Sequence, residues 1–483
     1  MDQLNTRHDI TLDLVRRVAW GHGKLALAPE ARQRIAKSRD EFLALLKNEA
    51  DHGVYGVNQG QGEMIGYRLT EAQTRRLAQL KPFPAAVSFG DYYPDRVTRA
   101  IVLARFANFL HGHAAATPRL AEALVGMLND GPMPKVAATG QGGAGEILGL
   151  YPLFADLSRR FDLEFAERGA FINGAPCAAA LVADTAIAAR RRWKLTAEVL
   201  ALAIDAFDAP RGHFDAALGP LWGGPHHEAA FAELNALLGA PRAKQRTHQA
   251  PVSYRIIPAV LAQAHMSVAH AEQTATTALS AVTHIPTYFE PDAGHPHGRV
   301  VSTGGFHNAL AAPAIDALAG AAADLCLLAG RLVVGLLNGR ASGYPDFLLS
   351  ERDVGESDGH GALGYLPMAI AGFVEEARAH AQRTPIPAMD ASVFGQDDVA
   401  APAYLAWPKA MKAGEALDRS IAVLAVTASQ ALHLVKREPT TQPLRALLDT
   451  VRRHVPPVGA DRVLGPELQQ LSETFTARVF NHD

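Results

Sequence analysis

At 483 residues, with 48% hydrophobic and 20% charged side chains, the chain has the composition of a globular protein. Forty-six basic against 49 acidic residues leave a net charge of −3, which excludes the strongly basic balance that nucleic acid or an anionic membrane surface selects and leaves a small molecule as the expected partner. The only two cysteines, Cys177 and Cys326, sit in apolar surroundings, and Met1-Asp2-Gln3-Leu4-Asn5 carries no basic-then-apolar signal, so a cytoplasmic location is expected.

Asp9-Ile10-Thr11-Leu12 reads as a strand, and Glu30 to Leu46 has helical spacing, with Pro29 suited to the first turn. A loop over 51–64 is punctuated by Gly53, Gly56, Gly60 and Gly62, an Arg-bearing helix follows over 70–80, and Pro82 and Pro84 break the chain. An amphipathic helix at 95–111 carries Val97, Ile101, Ala104 and Ala107 on one face, and another covers 118–129. Beyond Pro132 and Pro134 lies the glycine-dense stretch Thr139-Gly140-Gln141-Gly142-Gly143-Ala144-Gly145-Glu146-Ile147, then a helix over 146–156. Residues 165–177 read as short and irregular, ending in the turn Asn173-Gly174-Ala175-Pro176.

From Asp184 onward the pattern is nearly all helix, over 184–207, 226–239, 255–282, 308–338, 364–382, 412–436, 442–454 and 465–479. The most apolar segment, 318–337, is interrupted by Asp324 and Arg331. Each charge would cost roughly 2.5–3.5 kcal/mol at a bilayer centre, so the segment reads as a buried bundle helix and no membrane partner is expected. Strand signals are confined to the N-terminal third. The expectation is an all-α fold with a smaller mixed N-terminal region: a loop-rich catalytic domain over 1–183 and a helical bundle domain over 184–483.

Gly140, Gly142 and Gly145 satisfy G-x-G-x-x-G, but a dinucleotide site needs a strand before and βαβ alternation after. Only Val136-Ala137-Ala138 could be that strand, and no alternation follows. Glycines at this density instead mark a loop that bends sharply or approaches a ligand closely. The other glycine-flanked loop, Tyr55-Gly56-Val57-Asn58-Gln59-Gly60-Gln61-Gly62, carries a tyrosine that can act as a general base or acid, or anchor the loop by packing. His226-His227 and His295-Pro296-His297 lack carboxylate or thiolate partners at zinc-like spacing, so no metal is expected.

The tyrosine loop resembles the catalytic loop of the histidine and phenylalanine ammonia-lyases, and further matches follow in the family's order. Gly142-Gly143-Ala144-Gly145-Glu146-Ile147 resembles its Gly-Ala-Ser-Gly-Asp-Leu, and Ile172-Asn173-Gly174 its Leu-Asn-Gly turn. Gln249-Ala250-Pro251-Val252-Ser253-Tyr254-Arg255 resembles Gln-Asp-x-Tyr-Ser-x-Arg, and Ser302-Thr303-Gly304-Gly305-Phe306-His307 resembles Ser-Gly-Gly-Asn-Phe-His. Ser342-Gly343-Tyr344-Pro345 and Gln396-Asp397-Asp398 complete the set. The resemblance implies an elongated helical bundle, a homotetramer with sites shared between subunits, and an α,β-elimination on an amino acid. It implies that Tyr55 takes the β-proton, that Arg255 clamps the substrate carboxylate, and that Asn173 binds near the leaving amine. Arg255 as a helix-end ion pair and Asn173 as a turn residue are the competing roles. Substrate contacts are expected from Asn58, Gln59, Gln61, Gly143, Ala144, Gln249, Phe306 and His307. Glu375 and Glu376 are both candidates for the family's late-helix acid, Glu376 being the one placed in the site.

The departures narrow the chemistry. The family cyclises Ala-Ser-Gly into an electrophilic methylidene-imidazolone, the serine becoming its methylene; Gly143-Ala144-Gly145 has no hydroxyl to eliminate, so no such cofactor is expected. Val252 stands for the family's second tyrosine, Gly305 for its asparagine, His284-Ile285-Pro286 for its Asp-Asn-Pro, and Lys81 lies near the place of a missing histidine. A trimethylammonium group needs no electrophile to leave. The pattern therefore resembles the ergothionase branch of the family, which splits ergothioneine into thiourocanate and trimethylamine. Lys81 is then available to stabilise negative charge on the thioimidazole sulfur. An elimination or reverse addition on another heteroaromatic acid, and an inactive homologue acting as a binding or scaffold subunit, are the alternatives.

Overall fold

A computed structural model of the chain describes residues 1–49, 53–60, 64, 66–79, 85–160, 162–242, 249–350, 361–387, 395, 397–459 and 462–481. Gln61, Lys81 and Gln396 lie outside the described residues. Thirteen helices of nine residues or more are described: α1 (Pro29–Asn48), α2 (Glu71–Gln79), α3 (Asp95–Ala107), α4 (Pro118–Asp130), α5 (Ile147–Arg160), α6 (Pro176–Phe207), α7 (Pro225–Leu238), α8 (Ile257–Ser280), α9 (Ala311–Leu337), α10 (Leu366–His380), α11 (Ala403–Leu434), α12 (Gln442–His454) and α13 (Gly465–Phe480). Proline occupies the first turn of α1, α4, α6, α7, α8, α10, α12 and α13, where its missing N–H would have had no intrahelical acceptor.

The core is the packing of α6, α8, α9 and α11 on one another, with α3 against α6 and α10 against α9 and α11. Along α6 only Arg190, Arg191 and Lys194 escape burial, so this helix is covered on every side and sits at the centre, with buried charges such as Asp184 and Arg192 held in pairs. Two stretches are long and apolar enough to cross a bilayer by length and composition alone, Glu167–Phe207 and Ala311–Leu337; 94% and 61% of their most apolar windows are buried inside the bundle. α9, the helix that holds Asp324 and Arg331, is thus a bundle helix.

The domain boundary expected at 183/184 falls inside the unbroken helix α6. Asp184, in its buried stretch, accepts Nε–H of Arg96 from α3 at 2.9 Å and Nε1–H of Trp407 from α11 at 3.0 Å, so side chains from both sides of that division meet there. The expected strand at 9–12 is also corrected. Thr11 is a helix cap whose hydroxyl accepts the Leu14 N–H at 3.2 Å, opening the turn Leu12–Val15 and turning Leu14 and Val15 into the core. The strands are three residues each. β1 (Asp2–Leu4) pairs in parallel with β2 (Leu25–Leu27), and β3 (Thr287–Phe289) pairs antiparallel with β4 (Arg299–Val301), outside the N-terminal third where strands were expected. The stretch expected to be irregular holds a short helix, Glu167–Ile172.

Candidate active site

The turn bearing Tyr55 closes on Val54, whose carbonyl accepts the N–H groups of Val57, Asn58 and Gln59 at 3.1–3.2 Å. Asn58 uses its side chain on the same turn, its Oδ1 accepting the Val54 N–H at 2.6 Å. The Gln59 amide lies against Gly53, where any Cβ would collide with it. This local closure leaves Tyr55 half-buried on the wall of a cavity of about 430 Å³.

Ala144 forms another part of that wall. Its loop is held at several points: Thr139 Oγ1 donates to the Phe89 carbonyl (2.7 Å), Ser88 Oγ to that of Gly140 (3.0 Å), and the Ala401 N–H to that of Gly143 (2.9 Å). Gly140 has φ +66°, a conformation that excludes most side chains, whereas a Cβ on Gly142 would meet nothing within 4 Å. Ala137, in the place of a strand before this loop, makes only an isolated bridge to Tyr92, so the nucleotide-loop pattern lacks its structural context.

Ser302, Thr303, Gly304, Phe306 and His307 supply a third part of the wall. The Phe306 ring lies 3.6 Å from where a Cβ on Gly145 would stand. His307 donates through Nε2 to the Ala400 carbonyl at 3.0 Å, tying this segment to Asp397, Asp398 and Val399, which close the cavity. The last contributor is Ile285, whose carbonyl accepts Nδ2–H of the buried Asn173 at 3.1 Å. Asn173 therefore stands directly behind the cavity wall. Among the described residues that wall carries two carboxylates and no lysine or arginine.

Other expected site residues lie elsewhere in the chain. Gln249 is exposed and Arg255 half-buried at the end of the helical turn Val252–Arg255; neither lines the cavity. Among the described residues the Arg255 Nε is buried without a hydrogen-bond partner, and burial, followed by the Arg255 charge, lowers the pKa of His213. Val252 is 58% exposed and lines, with Pro251, Ser253 and Ile256, a separate groove of about 670 Å³ between α8 and α9. Glu376 is exposed on α10 and pairs with Arg419 at 3.3 Å, while Glu375 pairs with Arg378 at 2.9 Å.

A family model described as aromatic amino acid lyase matches residues 10–158 and 155–453. The chain belongs to the aromatic amino acid lyase family. It is 26% identical to the histidine ammonia-lyase of Aromatoleum aromaticum, over 98% of this chain and 93% of that enzyme. Among solved structures, the ergothionase of Treponema denticola, in complex with desmethyl-ergothioneine sulfonic acid, superposes with a TM-score of 0.89 at 16% identity, covering 99% of both chains. The tyrosine aminomutase of Streptomyces globisporus does so at 0.85 and 23%, covering 98% and 96%. At these identities the two structures establish the aromatic lyase fold, and the sequence relatives place the chain in a family of carbon–nitrogen lyases.

Part of the wall comes from residues not expected at the site. Ser302, Thr303, Asp397 and Asp398 belong to segments that resemble the family's, yet that they face the space shared by Tyr55 and Ala144 depends on how 302–307 and 397–401 are tied together. The His307–Ala400 bond makes that tie, and the histidine of Gly304-Gly305-Phe306-His307 is the signal for it in the sequence.

Proposed function

We propose that this chain is a carbon–nitrogen lyase that eliminates trimethylamine from ergothioneine, leaving thiourocanate, without a methylidene-imidazolone group. The observation that carries the reading is Ala144 in the wall of the cavity that holds Tyr55. The prosthetic group needs a serine hydroxyl in this triplet, and Gly143-Ala144-Gly145 offers only a methyl group, so the residues do not fit it. A leaving group that already carries its charge fits this loop.

The composition of the wall supports a cationic substrate. Asp397 and Asp398 put negative charge on it, and the Tyr55 and Phe306 rings offer the faces on which a quaternary ammonium is held. In the proposed step the Tyr55 oxygen, as tyrosinate, takes the β-proton; the C–H electron pair becomes the Cα=Cβ bond, and the C–N pair leaves with neutral trimethylamine. Asn173, behind the wall, orients the amine end. Lys81, Gln59 and Gln61 are assigned to the thioimidazole. Because Gln249, Arg255 and Glu376 stand away from the cavity of their own subunit, we assign the carboxylate clamp to a neighbouring subunit in a homotetramer. The exposed Val252 and Ile256 beside the apolar groove near Arg255 agree with burial against a second copy. The solved ergothionase with this fold adds support.

Incubation of the purified protein with ergothioneine, read by trimethylamine release and by the ultraviolet absorbance of a conjugated product, tests the assignment. Turnover of ergothioneine but not histidine is expected. Turnover of histidine or another aromatic acid alone would replace the substrate, and binding without turnover of any of them would favour the scaffold reading.

A further inference from the structure

Behind the cavity wall lies a buried polar cluster to which the elimination assigns no task. Glu146 follows the last glycine of the 139–145 loop, two residues after Ala144, and its side chain turns inward, 2% exposed. Its two carboxylate oxygens accept the N–H groups of Cys177 (2.5 Å) and Ala178 (2.7 Å), in the first turn of α6. That turn begins three residues after Asn173. One side chain thus joins the loop that carries Ala144 to the helix start that directly follows the Asn173-Gly174-Ala175-Pro176 turn.

Arg105 of α3 supports the same turn from the other side. It is completely buried and donates to the carbonyls of Phe171 (2.9 Å) and Asn173 and to Asn108 Oδ1 (2.7 Å). Gly174, at φ +126°, leaves its guanidinium room: a Cβ there would stand 3.0 Å from Nη2. Neither Glu146 nor Arg105 lines the cavity, so neither touches substrate. Among the described residues the remaining titratable groups facing Glu146 are Cys177 of α6, Tyr93 before α3 and Tyr404 of α11; burial raises the pKa of each, followed by the Glu146 charge for Cys177 and by Cys177 and then Glu146 for the two tyrosines.

We propose that Glu146, backed by Arg105, is a positioning residue of this active site: its ionised carboxylate fixes the Ala144 loop against the Asn173 turn, and its protonation loosens that link. The inference rests on the elimination proposed above for its effect on turnover. The physical reason is the donor count. A carboxylate accepts from both N–H groups, whereas a carboxylic acid turns one oxygen into a donor facing a donor, so one of the two bonds is lost. Burial pushes the Glu146 carboxyl up to about 8, against the two N–H groups and Arg105, which hold it down, so the change falls near neutral pH.

The test compares the full-length protein with Glu146→Gln and Glu146→Asp. Below about pH 7.5 the wild type should lose about tenfold more of its kcat/KM per pH unit than Glu146→Gln, because two ionisations, of Tyr55 and Glu146, are needed in the first and one in the second. At pH 9 kcat of Glu146→Gln should be about ten- to a hundredfold below wild type, the range expected for one lost charge-assisted hydrogen bond. Glu146→Asp should restore the steeper limb. Identical profiles for wild type and Glu146→Gln would overturn the proposal. Hydrogen exchange at Cys177 and Ala178 gives a readout independent of any substrate: in wild type, protection corrected for intrinsic rates should fall as pH drops through 8, and in Glu146→Gln it should be low and flat. Exchange behaving so without ergothioneine turnover would refute the substrate and leave the positioning role standing; pH-independent protection in wild type would refute the positioning role itself.

Discussion

Replacing Asp418 by asparagine should cost this protein about 3–5 kcal/mol, because it leaves a buried guanidinium without its counter-charge. Arg192 of α6 and Asp418 of α11 are 3% and 1% exposed and meet in a two-pronged pair, Nε to Oδ1 at 2.8 Å and Nη2 to Oδ2 at 3.0 Å. Thr476 of α13 donates to the same Oδ2 at 3.0 Å, and the Phe480 ring lies 5.5 Å from the guanidinium, so the pair also anchors the last helix. Gly414 is part of the arrangement, since a Cβ there would collide with Arg192. Asparagine keeps the shape and one acceptor but removes the charge. With a slope of ~3 kcal/mol per molar urea, the expected loss is a midpoint about 1–1.7 M lower, measured by circular dichroism at fixed protein concentration. The double variant Arg192→Met/Asp418→Leu should recover most of it, because apolar residues of similar volume need no pairing. A midpoint within about 0.3 M of wild type for Asp418→Asn would mean less than about 1 kcal/mol, the worth of an exposed pair, and would refute the reasoning.

Tyr55→Phe should leave the helical circular dichroism unchanged and lower kcat by about 10²–10⁴, the usual contribution of a positioned general base; wild-type turnover would remove Tyr55 from that role. Asp397→Asn should raise KM for ergothioneine by about tenfold and kcat less, if the carboxylate holds the trimethylammonium in ground and transition states alike, which steady-state kinetics will separate. For stability, Glu146 is a group whose pKa is raised on folding, from 4.5 to about 8. Its contribution is complete below pH 4.5 and is lost as pH rises through 8, at most about 5 kcal/mol at 1.36 kcal/mol per unit. Urea midpoints, which report unfolding of the whole chain and not the local link at Cys177 and Ala178, should therefore fall between pH 5 and 9 in wild type, with a clearly smaller fall in Glu146→Gln.

Much of the bundle is legible because amphipathic or apolar segments longer than ten residues, opened by Pro29, Pro118, Pro225 or Pro258, read as helices whatever surrounds them. Elements whose identity depends on neighbours were not legible. Thr11 looks like a strand residue until its hydroxyl is seen capping Leu14, and three-residue strands such as Thr287–Phe289 are too short for alternation to register. α6 begins eight residues before the expected Asp184, because Cys177 to Ala183 are buried on every side and show no amphipathic stripe. At the site, Tyr55, Ala144, Phe306 and His307 share one cavity, and ordered motifs identify the residues. Direction is harder: Asn58 turns its side chain onto its own backbone, and Arg255 stands beside His213 rather than at the cavity.

The glycine loop illustrates how a site can keep part of its apparatus when one residue changes. Glu146, two residues after Ala144, is an acid that the proposed elimination does not use. Glu146 is nevertheless fully buried and uses both oxygens on α6, although burial opposes its charge strongly enough to push its carboxyl up to about 8. A group that destabilises the fold when ionised is disfavoured by stability alone. Glutamine at 146 would avoid the charge while filling the same space, but its amide nitrogen would face one of the two N–H donors. The ionised carboxylate alone satisfies both and holds the Ala144 loop to the turn of Asn173, so its position is better explained by the geometry of the cavity in front of it than by the stability of the bundle behind it.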